Sequence, residues 1–238
     1  MNKKHFTAIV LSAGKGNRMH SDIPKQYMDM QGYPVIYYAL KAFEESQVDD
    51  IILVTGAEDV AFCTKDIVQK YHFTKVKDVV PGGAERYLSV LEGLKKAQNA
   101  DYVLIHDGAR PFIEQEVIRR AMDEVREKQA CIAAMPVKDT IKKVDENGKV
   151  EDTPPRKSLY AVQTPQAFSY SLVYDSYRKM IADGREDVTD DAMVVEAYGK
   201  VPVYVIEGSY RNFKITTPED LEMAEFMLNA GEPGGNVS

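Results

Sequence analysis

The sequence predicts an α/β fold, with a mostly parallel sheet covered on both faces by helices. Two observations carry this. Short apolar runs alternate with longer segments of helical period, and the runs end in small or polar residues, as parallel strands do where they meet ligand loops. The first two runs are residues 6–11 and 50–54, and between them Val35, Ile36, Ala39, Leu40 and Phe43 recur at helical spacing. Further strands are expected at 75–79, 102–106 and 130–137, separated by helices at about 58–70, 84–98 and 114–128. In the last of these helices Val117, Ile118, Ala121, Met122 and Val125 form one apolar stripe, read as core packing. Helices resume at about 171–182 and 190–198, then come a strand at 203–207 and a last helix from Pro218 to about Leu228.

The alternation breaks at about 138–162. Ile141-Lys142-Lys143-Val144 and a Glu146-Asn147-Gly148 turn suggest a hairpin, followed by the stiff Thr153-Pro154-Pro155. This stretch is too polar for a core strand pair. It is either a surface loop or an arm that packs on a second subunit, and the apolar Leu159, Tyr160 and Val162 that follow favour the arm. The whole is read as one domain over 1–230, with a disordered glycine-rich tail at 231–238.

Composition narrows the function classes. A chain of 238 residues with 44% hydrophobic and 28% charged residues is ordinary for a globular protein, and no run is apolar for long enough to span a bilayer. The start, Met1-Asn2-Lys3-Lys4-His5, lacks the pattern of a secretory signal, so the expected location is the cytoplasm. A formal charge of -7 argues against a general nucleic-acid surface, which needs a broad basic face. Cys63 and Cys131 have neither metal-ligand spacing nor a C-x-x-C pattern, and read as reduced core thiols.

Chemistry is expected in the polar loops after the strands. The first, Ser12-Ala13-Gly14-Lys15-Gly16-Asn17-Arg18-Met19, has small residues whose backbone N–H groups can approach a phosphate chain, with Lys15 and Arg18 adding charge. It is not a P-loop, and a dinucleotide loop fails because Met19 stands where the third glycine belongs. Alone it is a nucleotide loop or an ordinary tight turn. Lys25, in Pro24-Lys25-Gln26-Tyr27, either converges with Arg18 on one phosphate or is a solvated lysine. Gly82-Gly83-Ala84 enters the next helix with backbone groups suited to a base edge, Ser89 lying one turn on, or else makes only a turn. In His106-Asp107-Gly108-Ala109-Arg110-Pro111, Asp107 is a carboxylate at a strand's carboxyl end, placed to hold Mg²⁺. A cap of the following helix is the alternative for Asp107, weakened by Pro111, and His106 is read as packing at the strand end.

Taken in order, L-S-A-G-K-G-N-R-M, P-K-Q-Y, G-G-A-E-R, H-D-G-A-R-P-F, P-V-K-D-T-I-K, V-Q-T-P-Q-A-F, T-D-D-A and N-F-K-I-T-T-P-E-D-L resemble the 2-C-methyl-D-erythritol 4-phosphate cytidylyltransferases of the non-mevalonate isoprenoid pathway. The resemblance implies a Rossmann-like three-layer α/β/α domain with a protruding β-arm that completes a homodimer. It implies transfer of the cytidylyl group of CTP to a sugar-alcohol phosphate, with Mg²⁺. By matching motif, Arg18 and Lys25 would be the cations on the CTP phosphates, with Gly14 and Gly16 in the same loop. Ser12, Ala13, Gly83, Ala84 and Ser89 would surround the cytosine, Asp107 would bind the metal, and Lys214 would reach the α-phosphate. Arg110, Thr140 and Lys214 would flank the acceptor, and Arg156 and Thr164 would meet the acceptor phosphate of the neighbouring subunit. Two departures stand out: Leu11-Ser12 replaces the family's usual Pro-Ala, and Ala84 stands where Asp is frequent.

The nearest rival is a ribitol 5-phosphate cytidylyltransferase, in which serine and valine are expected after the aspartate. Gly108 and Ala109 follow it here, and Thr189-Asp190-Asp191-Ala192 also favours the methylerythritol acceptor. A nicotinamide oxidoreductase is disfavoured by the missing third glycine. A catalytically dead nucleotide-binding regulator is disfavoured by the presence of Arg18, Lys25, Asp107 and Lys214 together.

Overall fold

A computed structural model describes residues 3–14 and 23–231. The elements are β1 (Phe6–Ser12), β2 (Asp29–Met30), β3 (Tyr33–Pro34), α1 (Val35–Glu44), β4 (Asp50–Thr55), α2 (Val60–Phe62), β5 (Val76–Pro81), α3 (Arg86–Lys96) and β6 (Tyr102–Asp107). There follow α4 (Gln115–Lys128), β7 (Ala130–Pro136), β8 (Lys143–Val144), β9 (Val150–Asp152), β10 (Tyr160–Ser169), α5 (Tyr170–Ala182), α6 (Asp191–Tyr198), β11 (Tyr204–Glu207) and α7 (Pro218–Gly231). The helix expected at 58–70 is irregular: a 3-10 turn precedes α2, and residues Cys63–Gln69 continue as a π-helix.

Among the described residues seven strands form one sheet in the order β11-β7-β10-β6-β1-β4-β5. β1 pairs in parallel with β4 and β6, β4 with β5, and β7 with β11. β10 runs antiparallel to both of its neighbours, β6 and β7. The sheet is therefore mostly parallel, as expected, but its centre holds a reversed strand that the sequence pattern does not announce. No strand is expected from the sequence at Gln163, Thr164, Pro165 and Gln166, where proline lacks a ladder donor and the polar side chains look wrong for a core strand. The register of β10 shifts between Val162 and Gln166, so Pro165 falls in the irregularity and no ladder bond is lost. Each buried polar side chain there has a remote partner. Gln163 Nε2 donates to Ser209 O at 2.8 Å, and Gln166 Nε2 donates to Asp190 Oδ2 at 2.9 Å.

The period-2 alternation of β1 divides the core. Ala8 and Val10 pack with Ile36, Leu40 and Phe43 of α1 and with the whole α4 stripe. Ile9 and Leu11 face Val90 and Leu94 of α3, Val173 and Tyr177 of α5, and Val194 and Val195 of α6. Helices thus cover both faces and the strand ends stay clear for loops. The hairpin expected from Asn147-Gly148 is present as β8–β9, with Gly148 at φ 79°. A second hairpin, β2–β3, turns through Gln31 (φ 57°) and Gly32 (φ 83°), both left-handed as a type I′ turn requires.

Close packing of α3 on the sheet falls at Gly93, where an added Cβ would lie 2.5 Å from Ile9 Cγ2 and 3.1 Å from Val54 Cγ2. Both neighbours are β-branched and stiff. Gly93→Ala gains about 1 kcal/mol of helix propensity, but overpacking costs about 1–3 kcal/mol. Urea unfolding is expected to show a lower midpoint at unchanged slope, and a raised midpoint would contradict this packing.

Candidate active site

Three strand ends build one cavity of about 370 Å³, and residues 212–216 close it. From β1 come Ser12, Ala13 and Gly14. The short turn Lys25–Tyr27 lies against them, and Gln26 Nε2 donates to Ser12 O at 2.7 Å and to Gly14 O at 3.0 Å. With those carbonyls held by one buried amide, the first loop is fixed where it leaves the strand.

After β5, Gly82 N–H donates to Thr55 O at 2.7 Å, which ties the glycine turn to the end of β4. A Cβ on Gly82 would lie 2.6 Å from Ala13 Cβ, and one on Gly83 would lie 2.3 Å from Leu88 Cβ. These glycines are required by close approach to the first loop and to α3. Gly83 N–H donates to Ser89 Oγ at 3.2 Å, and Ser89 Oγ donates to Glu85 O at 3.2 Å. The Gly83 amide is therefore engaged within its own turn, which leaves less free backbone than the sequence suggests.

The floor of the cavity is charged. Asp107 Oδ1 accepts from Arg86 Nε at 3.2 Å, Oδ2 accepts from Lys214 Nζ at 2.8 Å, and Arg110 Nε lies 4.0 Å from Oδ2. Asp107 N–H donates to Thr164 Oγ1 at 3.1 Å. Arg86 also forks onto Asp191, both contacts being 2.9 Å, and Tyr177 Oη donates to Asp191 Oδ1 at 2.5 Å. Lys214 is placed by its neighbours: Ile215 N–H donates to Ala109 O at 2.8 Å, and Asn212 Nδ2 donates to Thr164 O at 2.7 Å.

Burial pushes the Asp107 carboxyl up, but the charges of Arg86, Lys214 and Arg110 outweigh it and hold it well below the usual carboxylate range. Asp107 is ionised at any working pH. His106 is fully buried, with Nδ1 3.0 Å from Thr164 Oγ1 and Nε2 3.2 Å from Arg110 O, and burial pushes its pKa down to about 4. Both ring nitrogens are occupied, so His106 is a packing residue at the strand end and offers no base to the cavity.

Of the residues singled out in the sequence, Ser12, Ala13, Gly14, Lys25, Gly83, Ala84, Ser89, Asp107 and Lys214 line this cavity together. Arg110 sits behind Asp107, its Nη1 donating to Asn212 O at 2.8 Å. Thr140 and Arg156 are exposed on the arm, where Arg156 Nη1 donates to Lys138 O at 3.0 Å. Thr164, expected at a neighbour's acceptor phosphate, is instead turned into the interior, its hydroxyl spent on Asp107 and His106. Gly16 and Arg18 lie outside the described residues. Sequence reasoning assigned no role to Gln26, Arg86, Tyr177 or Asp191. Gln26, Arg86 and Asp191 were present as polar residues inside quoted motifs, whereas Tyr177 lies in none; the Arg86–Asp191 pair is separated by 105 residues and only folding joins it.

The model of the 2-C-methyl-D-erythritol 4-phosphate cytidylyltransferase (IspD) family matches residues 6–230. The chain belongs to this family. A 2-C-methyl-D-erythritol 4-phosphate cytidylyltransferase of Lachnoclostridium phytofermentans is 50% identical over 222 residues, covering 93% of this chain and 95% of the relative. One from Lachnospira eligens is 49% identical, covering 93% and 98%. The crystal structure of 4-diphosphocytidyl-2C-methyl-D-erythritol synthase from Anaerococcus prevotii superposes with a TM-score of 0.83 at 36% identity, covering 95% of this chain and 96% of that one. The Rossmann-like three-layer architecture read from the motifs is thus that of the cytidylyltransferase family.

The burial of neutral His106 has a pH consequence. Its folded pKa, about 4, is below the unfolded value of about 6.5, so the unfolded chain binds the extra proton between those values. This contribution is full above pH 6.5 and is lost as pH falls toward 4, amounting to about 3 kcal/mol. Denaturant unfolding at pH 7, 5.5 and 4.5 is expected to show the loss in the parent chain and a shallower one in His106→Asn. Equal slopes in the two proteins would count against it.

Proposed function

We propose that the chain transfers the cytidylyl group of CTP to 2-C-methyl-D-erythritol 4-phosphate, releasing pyrophosphate and giving 4-diphosphocytidyl-2-C-methyl-D-erythritol, and that residues 1–230 serve this as one nucleotidyltransferase domain. The observation that carries the reading is the cavity itself. A small-residue loop and a glycine turn form one wall, and Lys25, Lys214 and the ionised Asp107 face it, at the carboxyl ends of a mostly parallel sheet.

The chemistry follows from charge. The acceptor phosphate has a second pKa of ~6 and is largely dianionic at neutral pH, so its oxygen is already a nucleophile. It attacks the α-phosphorus of CTP in line. The new bond joins acceptor oxygen to α-phosphorus, and the bond to the bridging oxygen of the β-phosphate breaks, its electron pair leaving with pyrophosphate. No general base is required, in keeping with the buried His106. The enzyme must bring two polyanions together, and Lys25 and Lys214, with Arg18, supply the balancing charge. Ser12, Ala13, Gly83, Ala84 and Ser89 form the wall assigned to the cytosine.

Asp107 fits a divalent ion carried mainly by its nucleotide. Among the described residues no group of three ligating side chains exists, and Mg²⁺ in nucleotide sites needs only one or two carboxylates besides phosphate oxygens and waters. Each oxygen of Asp107 accepts one side-chain hydrogen bond, which leaves lone pairs for a metal. Such an ion would neutralise charge on the phosphates.

The exposed apolar side chains of Ile141, Val144, Val150, Tyr160 and Val162 support an arm that packs on a second subunit, carrying Arg156 toward that subunit's acceptor phosphate. Thr164 supports the site from beneath. Among the described residues no helix is long and apolar enough to cross a membrane, and we place the enzyme in the cytoplasm.

The test is pyrophosphate release from CTP and Mg²⁺ with either 2-C-methyl-D-erythritol 4-phosphate or ribitol 5-phosphate. Release with the first acceptor alone is expected. Release with ribitol 5-phosphate alone would keep the chemistry and replace the acceptor, and silence with both would overturn the proposal.

A further inference from the structure

The short turn carrying Lys25 is held by both of the residues that follow it. Gln26 secures the first loop, as described above. Tyr27 N–H donates to Pro24 O at 2.8 Å and closes the turn, while its phenol enters a polar cluster. There the phenol shares a hydrogen bond with Thr55 Oγ1 and accepts one from Cys63 Sγ at 3.2 Å, and Thr55 Oγ1 lies 3.4 Å from the same sulfur. Phe62 closes the cluster edge-on, 5.3 Å from the Tyr27 ring.

The anchor point matters more than the bond count. Thr55 ends β4, is paired in register with Ser12 at the end of β1, and its carbonyl receives Gly82 N–H. The phenol is therefore fastened to the residue that joins the first loop to the glycine turn. Thr55 and Cys63 are fully buried. A hydroxyl placed among such groups costs desolvation free energy unless bonded, and phenylalanine would fill the same space without that cost. What the hydroxyl adds is a defined position. Burial pushes the phenol's pKa up, so it keeps its proton across the neutral range.

Lys25 has the opposite character. Its four-carbon stem is flexible and its ammonium is a point charge with no geometry of its own. The backbone beneath it sets where that stem begins.

We infer that Tyr27 is a positioning residue for Lys25: its phenol, latched to Thr55 and Cys63, fixes the Lys25–Tyr27 turn so that the ammonium faces the nucleotide cavity. The inference rests on the reading of Lys25 as a phosphate-facing cation, and the experiment separates the two. Tyr27 touches no substrate, and its effect passes through Lys25.

The experiment is a double-mutant cycle with Lys25→Ala and Tyr27→Phe, reading kcat, KM for CTP and the midpoint of thermal unfolding in the full-length chain. Lys25→Ala alone is expected to lower kcat by about 10²-fold, as for loss of a preorganised charge. Tyr27→Phe is expected to lower kcat by about tenfold or more through misplacement of that charge, with a much smaller change in KM. In the Lys25→Ala background, Tyr27→Phe should cost less than about twofold in kcat, because the group it positions is gone. If Tyr27→Phe does not fold, Thr55→Val removes the partner hydroxyl with the tyrosine intact and takes its place in the cycle. Losses that multiply, or a Tyr27→Phe enzyme with full kcat, would overturn the positioning role. Full kcat in Lys25→Ala would remove Lys25 from the mechanism and the inference with it.

Discussion

The site depends on one buried carboxylate. Asp107 draws Arg86 from α3 and Lys214 from the segment after β11 to within 3.2 and 2.8 Å, although they lie 21 and 107 residues away in the chain. In a partly buried site, unit charges at such distances attract by several kcal/mol at an effective dielectric constant of about 20. Most of that is offset by the desolvation of both partners. The net gain in stability is modest, and the larger effect is positional. A site built to receive two polyanions needs cations, and in the absence of ligand those cations repel one another. A fixed anion among them lets them share one small volume before the phosphates arrive. Asp191 does the same for the far side of Arg86, with Tyr177 supporting it.

The reversed strand β10 supplies the support for that carboxylate. Its irregular segment, between the pairings at Val162 and Gln166, passes beside the end of β6 in the same sheet, where Thr164 receives Asp107 N–H and Asn212 binds Thr164 O. Farther along the strand, Gln166 fixes Asp190 and accepts from Ala192 N–H, which sets the start of α6 and so the place of Asp191. Near its beginning, Tyr160 pairs with Pro136 at the base of the arm. One strand therefore runs from the arm, past the carboxylate, to the helix that holds the opposing acid.

Much of this was legible in the sequence and some was not, for physical reasons. The parallel strands and the amphipathic helices announce themselves because their burial is periodic; the α4 stripe from Val117 to Val125 is buried as its spacing implies. Asp107 was legible because a carboxylate next to small residues at a strand end has few structural uses, whereas Lys25 stood open between a phosphate contact and a solvated lysine and Lys214 was named only through the family resemblance. β10 was hidden because the features that disqualify a core strand, a proline and three polar side chains, are compensated by groups distant in the chain. The Arg86–Asp191 fork was hidden for the same reason: each charge alone looks like surface. The interior place of Thr164 was missed because its hydroxyl is used to hold a backbone amide, which no motif records.

Asp107 is the organiser of its cations. Simple charge counting says otherwise, since removing a negative charge beside a polyanion site should help. Asp107→Asn keeps the shape, removes the charge and sets the two views apart. Steady-state pyrophosphate release by this variant, with CTP, Mg²⁺ and 2-C-methyl-D-erythritol 4-phosphate, is the measurement that decides. A kcat lowered by about 10²-fold in a folded protein at saturating Mg²⁺, despite the more positive site, is the result expected of a lost preorganised group and not of weaker metal binding alone. A kcat equal to or above that of the parent enzyme would contradict the account.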